Sequence, residues 1–256
     1  MNNVYKKHHI EYLSSSTVNM FIYSPAKCMM KLAGYSGQVG SSAWRGSGVD
    51  VALCNRIKNP KISLEECKRI AHNLYDQEVA LAKKENRAEA DWKIDKERDI
   101  MNGCIDQGEL SFVTKYRDKK VIDTQGKLEM MLDDVAVPYI GYYDILFEDR
   151  VVDLKSKGAQ VSAPSNSDQR QVSFYAYATG REPWLAYLSK KELREFKVSN
   201  PKNHVENLRQ AIFALEKILS FSDDIIECCQ LVYPNFDDWM FSETDKINAH
   251  KIWRIK

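Results

Sequence analysis

The chain lacks the long hydrophobic runs that would place it in a membrane. None of its apolar stretches approaches the roughly 18 residues that a spanning helix needs. Its first residues include lysines but no apolar core, so we expect no secretory signal. These absences predict a protein that makes no use of a membrane and resides in the cytoplasm.

Cysteine motifs for disulfide or metal binding are also missing. The 6 cysteines form no Cys-x-x-Cys pair, and Cys228 and Cys229 are directly adjacent, which makes a poor disulfide. A chain of 256 residues can bury a core without disulfides. We therefore expect reduced and mostly buried thiols, because free cysteine behaves as a small hydrophobic residue.

A global charge signal for nucleic acid is absent, because 37 basic against 36 acidic side chains leave a net charge of +1. Basic residues nevertheless concentrate between Lys115 and Lys120 and between Lys190 and Lys202. Each stretch is compatible with a solvated surface, or with contact to a phosphate backbone if a phosphodiesterase site lies beside it. No Gly-x-x-x-x-Gly-Lys-Ser/Thr loop occurs, so we find no recognisable NTPase motor.

Periodicity and capping residues predict helices over much of the chain. The capping box of Ser63 and Glu66 begins one of them, and Gly180 ends another. Glycine and serine crowd residues 34–48, which predicts a loop. The expected helices are 14–32 with a break at Pro25, about 47–57, 63–86, 88–106, 166–180 and 203–220.

Strand patterns fill most of the remainder. In residues 110–160, Val, Ile, Tyr and Phe alternate with polar residues and turns, which predicts a β-meander. Residues 184–189 and 194–198 are further strand candidates, and the aromatic tail after Pro234 is predicted to be irregular. The expected fold class is α/β, with a central mixed sheet flanked by helices.

The stretch from Gly141 to Lys155, GYYDILFEDRVVDLK, carries the clearest chemical signal. It predicts two strands joined by a tight polar turn, in which Asp153 and Lys155 share a face and Asp144 lies nearly opposite Asp153. Opposed carboxylates repel each other, and a divalent cation such as Mg²⁺ would offset that repulsion. A salt-bridged hairpin on a solvated sheet face is the competing interpretation.

An acid two residues before a lysine is common in this chain. It also occurs at Glu66–Lys68, Asp91–Lys93, Asp118–Lys120 and Glu195–Lys197. The first two fall in helical patterns, where residues i and i+2 do not share a face. Glu195–Lys197 falls on an expected strand, but no Gly-x-x-Asp hairpin precedes it.

The hairpin sequence GYYD–VVDLKS resembles the catalytic core of the PD-(D/E)xK nuclease superfamily, in particular its RecB-type exonuclease branch. That branch combines Gly-x-x-Asp, Asp-x-Lys and a helix with Gln-x-x-x-Tyr, which Gln171 and Tyr175 match. LSSSTVNMFIYSP is similar to the opening helix of the branch. RGSGVDVAL is similar to its Gly-x-x-x-His motif, with Asp50 where histidine is frequent.

The resemblance implies a restriction-endonuclease-like core and a nuclease that uses Mg²⁺ or Mn²⁺. Lys155 would act on the attacking water, and Gln171 and Tyr175 would position the substrate. The implied metal ligands are Asp144, Asp153, the carbonyl of Leu154 and Asp50. Residues 1–256 would form a single nuclease domain: a mostly helical N-terminal region over 1–108, the catalytic sheet and motif helix over 109–200, and a C-terminal helix with the aromatic tail over 201–256.

The same resemblance shapes our expectations for cofactors and partners. Some members of the branch hold an iron–sulfur cluster on four cysteines, but here Ser24 precedes Pro25 and WMFSETDKINAHKIW contains no cysteine, so we expect no such cluster. We predict a metal-dependent DNA exonuclease of recombination or repair, similar to stand-alone phage enzymes. Its partners would be DNA, a single-strand annealing protein and further copies of itself. An endonuclease of the same fold and a catalytically decayed DNA-binding protein are the alternatives.

Overall fold

The computed structural model of the chain describes residues 4–35, 39–237 and 240–253. Its helices are α1 Val4–Lys7, α2 Ser15–Tyr23, α3 Pro25–Leu32, α4 Ser41–Lys58, α5 Leu64–Lys84, α6 Asp91–Gly108, α7 Thr114–Tyr116, α8 Asn166–Thr179, α9 Pro201–Leu219, α10 Ile225–Cys229 and α11 Glu243–Trp253. A π-helical turn, Glu109–Val113, joins α6 to α7. Its strands are β1 Leu13–Ser14, β2 Val121–Met130, β3 Tyr139–Phe147, β4 Arg150–Ser156, β5 Glu182–Leu188 and β6 Leu193–Lys197.

The chain divides into two compact units, each built from separate segments. The first contains the described residues of Met1–Gly37, Leu128–Gly141 and Lys202–Lys256. The second contains those of Gln38–Lys127 and Tyr142–Pro201. The single domain spanning 1–256 stays a prediction.

The second unit contains a mixed sheet, as the sequence predicts. β4 pairs antiparallel with β3 and parallel with β5, and β5 pairs antiparallel with β6. The parallel step from β4 to β5 runs through α8, the crossover that parallel strands require. β4 is therefore an inner strand with partners on both sides, and it carries three of the predicted site residues, Asp153, Leu154 and Lys155.

Three helices cover one face of this sheet. The side chains that β3 and β4 contribute to the core alternate along each strand, which is the pattern of a half-buried sheet. They pack in one cluster with apolar residues of α4, α5 and α6. The strand members of this cluster are Ile145, Phe147, Val152 and Leu154. The alternate residues of the two strands are thereby directed away from the core.

Helix α8 begins and ends where its capping residues predict. The hydroxyl of Ser165 accepts the N–H of Asp168 at 3.1 Å. Gly180 follows the last turn with φ at +68°, a left-handed conformation that glycine adopts without steric cost. These caps fix the position of Gln171 along the helix.

Helix α4 begins earlier than the sequence indicates, so the loop predicted over 34–48 is wrong from residue 41 onward. Its first turn is held by Glu89, whose carboxylate accepts the N–H of Ser41 at 2.8 Å. Gly48 is a packing residue, since a Cβ there would lie 2.5 Å from Sδ of Met101 on α6. Gly48, one of the glycines that suggested a loop, instead allows α4 to approach α6 closely.

Two other predictions are corrected by packing. The β-meander does not begin at 110, because the chain stays helical to Tyr116, whose ring stacks on Phe147 with centroids 5.0 Å apart. The tail after Pro234 is not irregular throughout, because α11 occupies part of it. Asp245 lies on the buried face of α11 and pairs with Lys27, so a charge interrupts the apolar periodicity that would have revealed the helix.

The first unit confirms several further expectations. Pro25 opens α3 after a break at Ser24, and Ser14 caps α2. The amphipathic face of α9 is buried through Val205, Leu208, Ile212, Leu215 and Leu219.

All 6 cysteines of the chain are free and buried. Among the described residues, every helix is too short or too polar to cross a bilayer.

Two glycines of α4 make the tightness of this packing testable. A Cβ at Gly46 meets nothing outside its helix closer than Oγ of Ser156 at 3.9 Å. We expect Gly46→Ala to raise the free energy of unfolding by roughly 0.5–1 kcal/mol, because alanine loses less backbone entropy. Gly48→Ala should instead lower it by about 1–3 kcal/mol through overpacking against Met101. Urea unfolding followed by circular dichroism measures the free energy of unfolding of both variants. Equal stabilisation by the two substitutions would contradict the tight contact between Gly48 and Met101.

Candidate active site

The hairpin predicted to carry the chemistry is present. Glu148 and Asp149 form the turn between β3 and β4, and Ile145 pairs with Val152 in the ladder. The next step of this register brings Asp144 level with Asp153. There the N–H of Leu154 donates to Oδ2 of Asp144 at 2.6 Å. A carboxylate of one strand is therefore held against the backbone of the other.

Lys155 lies among the polar side chains of this hairpin. Its Nζ is 2.6 Å from Oδ2 of Asp153, whose side chain is only 2% exposed. The same ammonium donates to Oε1 of Gln171 at 3.2 Å. Leu154 points into the core between them, as strand alternation predicts. Asp153 and Lys155 thus share the polar face of β4.

Helix α8 contributes the Gln-x-x-x-Tyr pair. Gln171 and Tyr175 are four residues apart and lie on one helix face. Nε2 of Gln171 donates to the hydroxyl of Tyr175 at 2.7 Å, which directs the amide oxygen toward Lys155. Burial, followed by the charge of Asp153, raises the pKa of Tyr175. The hydroxyl is therefore a neutral acceptor for Gln171.

Asp50 joins the site from α4. Sγ of Cys54, one turn further along the helix, donates to the backbone carbonyl of Asp144 at 3.3 Å and fixes α4 beside β3. Oδ1 of Asp50 is buried and accepts no hydrogen bond within the described part of the chain. Burial raises the pKa of Asp50, and the charge of Asp144 raises it further. The carboxyl of Asp50 therefore lies within electrostatic reach of the hairpin.

The electrostatics of the site are dominated by burial of like charges. Burial, and next the charge of Asp153, raises the pKa of Asp144 to about 7. Burial also raises the pKa of Asp153, against the opposing effect of Lys155. For Lys155, burial lowers the pKa, but Asp153 and Asp144 raise it by more, so the amine stays an ammonium at neutral pH. One ammonium is within electrostatic reach of three carboxyl groups, of which Asp153 is buried and Asp50 and Asp144 are half-buried.

This donor set fits a hard divalent cation. The carboxyl groups raise one another's pKa because too little positive charge lies near them to offset their own. In addition, Oδ1 of Asp50 has no hydrogen-bond partner in the described chain. A divalent cation would supply both a charge and a bonding partner. No three His, Cys, Asp or Glu side chains of the described residues group closely enough to hold an ion by themselves. Water and backbone oxygens would have to complete the coordination, as is usual for Mg²⁺. The ligand role of the Leu154 carbonyl stays a prediction.

Neighbours that sequence reasoning missed extend the polar cluster. The hydroxyl of Tyr187 donates to Oδ2 of Asp168 at 2.8 Å, and Nζ of Lys157 lies 3.9 Å from the same oxygen. Tyr187 pairs with Lys155 in the β4–β5 register. Asp168 could have been found from its position in the first turn of α8, one turn before Gln171. The closeness of Tyr187 and Lys157 to Asp168 depends on strand pairing, which no local pattern shows.

Most basic side chains of the two basic stretches are paired with carboxylates. Lys120, for example, lies 2.7 Å from Glu148, and Lys119 lies 2.8 Å from Asp149. The remaining pairs in these stretches are Lys115–Glu195, Lys190–Asp99, Arg194–Glu192 and Lys197–Glu182. This pairing favours solvated surfaces over an exposed positive track.

Comparison with known proteins adds little to these residues. No family model and no curated protein matches the sequence. The crystal structure of SSO0001 is similar over 77% of this chain and 86% of that chain, with a TM-score of 0.35 and 11% sequence identity. A likeness of that size supports no statement on fold or function, so both rest on the geometry described above.

The raised pKa of Asp144 predicts how stability depends on pH without metal. Between about pH 4 and its pKa of about 7, the folded carboxyl keeps a proton that the unfolded chain has lost, so the free energy of unfolding falls as pH rises. Asp144→Asn keeps an acceptor for the N–H of Leu154 and removes the free-energy cost of ionising this carboxyl in the folded chain. We expect it to stabilise the protein on the order of 1–3 kcal/mol at pH 8, and by less at pH 5.

Urea unfolding in EDTA measures this effect. Asp149→Asn is the matched control, because hydrogen bonds from Arg150 and Lys119 lower the pKa of that exposed carboxyl. It should give no stabilisation at pH 8. A pH-independent effect of Asp144→Asn would show that the Asp144 carboxyl does not carry the predicted burial cost.

Proposed function

We propose that this protein is a Mg²⁺- or Mn²⁺-dependent nuclease that hydrolyses DNA phosphodiester bonds from an end, with a restriction-endonuclease-like core of the PD-(D/E)xK type. One observation carries the proposal. Three aspartates from α4, β3 and β4, one buried and two half-buried, cluster near a single lysine, which Gln171 of α8 contacts at 3.2 Å. Buried, mutually perturbed ionisable groups of this kind concentrate at catalytic sites.

A purely structural ion pair explains this cluster less well. An isolated ion pair would need only Asp153 and Lys155, whose charged groups lie 2.6 Å apart. Asp50 and Asp144 add two further half-buried carboxyl groups, and each costs free energy when it ionises without a partner. A fold that needed only stability would not bring them together. A bound cation makes the arrangement favourable.

Asp144 and Asp153 would be the carboxylate ligands of the metal, and Asp50 would add its negative charge from α4. When bound, a divalent cation lowers the pKa of a coordinated water and neutralises charge on a phosphoryl oxygen. Carboxylates fixed on an inner strand and its neighbour provide a rigid frame for that chemistry.

Lys155 acts as a cation and not as a base. Its pKa lies above the ordinary lysine value because Asp153 and Asp144 outweigh the effect of burial. An ammonium donates hydrogen bonds, so it orients the attacking water and stabilises the negative charge that develops on the phosphate. Gln171 holds the ammonium in place, and the hydroxyl of Tyr175 holds Gln171.

The preference for DNA ends, and a role in recombination or repair, follow the motif resemblance. The charge distribution agrees with a substrate held mainly at the site, since most lysines of the two basic stretches are paired with carboxylates. A single-strand annealing protein and further copies of this chain are the partners we propose on the same basis.

Degradation of end-labelled linear double-stranded DNA and of a closed circular plasmid tests the proposed activity. We expect Mg²⁺ or Mn²⁺ to support loss of the linear DNA and EDTA to stop it. Lys155→Ala should lower the rate at least about 100-fold, the usual cost of removing a group that stabilises transition-state charge. Lys190→Ala, on the surface beside Asp99, should match the wild type.

The outcomes separate the three functional alternatives. Loss of linear DNA alone, dependent on Lys155, supports an exonuclease, and the label shows its polarity. Cleavage of the closed circle would indicate an endonuclease of the same fold. Binding of DNA without cleavage, unchanged in Lys155→Ala, would indicate a decayed site.

Gln171 should act as a positioning residue. We expect Gln171→Leu to lower kcat about tenfold with a smaller change in KM, because Lys155 loses its anchor while substrate binding continues. Gln171→Glu keeps an acceptor for Lys155 and should recover part of the rate. Steady-state kinetics of the two variants measures this difference. A rise in KM with unchanged kcat would assign Gln171 to substrate binding instead.

A further inference from the structure

Tyr142 is an exposed aromatic residue immediately beside the candidate active site. It lies two residues before Asp144 on β3, and alternate residues of a strand share a face about 7 Å apart. The intervening Tyr143 points the other way, is 6% exposed, and donates its hydroxyl to Asp123 at 3.0 Å. Tyr142 is 59% exposed. The polar face of the hairpin therefore carries an aromatic ring next to its carboxylates.

Packing does not account for this ring. Within the described part of the chain, the Tyr142 side chain has no hydrogen bond, ion pair or ring contact. Other tyrosines of the site are buried and bonded, such as Tyr175 with Gln171 and Tyr187 with Asp168. An unpaired ring is expected where an aromatic residue meets a ligand, because its face and its hydroxyl both stay available.

The position of Tyr142 along the hairpin defines what that ligand would be. Glu148 and Asp149 close one end of the hairpin, and Tyr142 lies toward the open end on β3. Lys155 lies toward the same end of β4, and Lys157 follows directly after that strand with its Nζ 3.9 Å from Oδ2 of Asp168. Ammonium groups at the end of one strand suit phosphates, and a ring on the neighbouring strand suits a base.

We propose that Tyr142 stacks on the nucleobase next to the scissile phosphate, so that the site takes an unpaired nucleotide: a single strand or a frayed end. This inference rests on the proposed nuclease function. A base inside a duplex has both faces covered by its neighbours, whereas an unpaired base offers a face to an aromatic side chain. The stack selects for unpaired DNA without selecting a sequence, because every base has such a face.

Single-turnover cleavage of short oligonucleotides in Mg²⁺ tests the stack. The substrates are an intact single strand and strands with an abasic site at each nucleotide flanking the cleaved bond. On the intact strand, Tyr142→Ala should lower kcat/KM about tenfold, within the range for loss of one base–aromatic stack. On the strand whose abasic site removes the base that Tyr142 contacts, Tyr142→Ala should change kcat/KM less than about twofold, because no stack is left to lose. Tyr142→Phe should match the wild type.

Tyr177→Ala is the matched control, since Tyr177 is 51% exposed on α8. Tyr177→Ala should leave kcat/KM unchanged for every substrate. An equal loss for Tyr142→Ala on the intact strand and on all abasic strands, or no loss at all, would overturn the stacking assignment. A duplex with blunt ends should be cleaved more slowly than the single strand, and this preference should shrink in Tyr142→Ala.

Fluorescence of 2-aminopurine separates this inference from the nuclease proposal. With the base analogue at the strand end and EDTA present, stacking on Tyr142 should quench emission in the wild type and in Lys155→Ala, but not in Tyr142→Ala. Quenching that depends on Tyr142, without cleavage of any DNA, would overturn the nuclease function and keep the stack. Lys155-dependent cleavage with no effect of Tyr142→Ala in either assay would keep the nuclease and overturn the stack. Absence of both cleavage and quenching overturns both.

Discussion

The clustering of three aspartates, one buried and two half-buried, near one lysine is the constraint on which the second unit depends. Each carboxyl raises the free energy of the folded chain when it ionises, as the raised pKa values of Asp50, Asp144 and Asp153 show. Lys155 compensates this charge only in part. The surrounding fold must therefore hold the groups together against their repulsion, and a divalent cation would relieve it.

Rigid elements on three sides supply that restraint. β4 is locked between an antiparallel and a parallel neighbour, so Asp153 and Lys155 have little freedom to separate. Helix α4 packs closely against α6 because Gly48 has no side chain, and Cys54 ties α4 to the backbone of Asp144. Helix α8 is capped at both ends and holds Gln171 against Lys155. The apolar core beneath the sheet offsets the cost of this polar cluster.

Charge is handled differently at the surface. Most lysines of the basic stretches are matched by carboxylates at separations typical of exposed ion pairs, which contribute little to stability. Affinity for a polyanion would then depend less on a broad positive surface than on a few groups at the open end of the hairpin. Under the proposed function, the metal, Lys155 and Tyr142 would provide most of the substrate contacts.

Local sequence determined the hairpin, α8 and the pairing of Gln171 with Tyr175, because turns, caps and alternation act over a few residues. It also indicated which side chains of β4 face the core. The tertiary structure decided where α4 begins, that α11 exists, and that the carboxyl of Asp50 lies beside Asp144. It also revealed Tyr187 and Lys157 near Asp168. These features depend on contacts between segments far apart in the chain, where a glycine can mean close packing and a buried charge such as Asp245 can interrupt an apolar stripe, so local periodicity could not predict them.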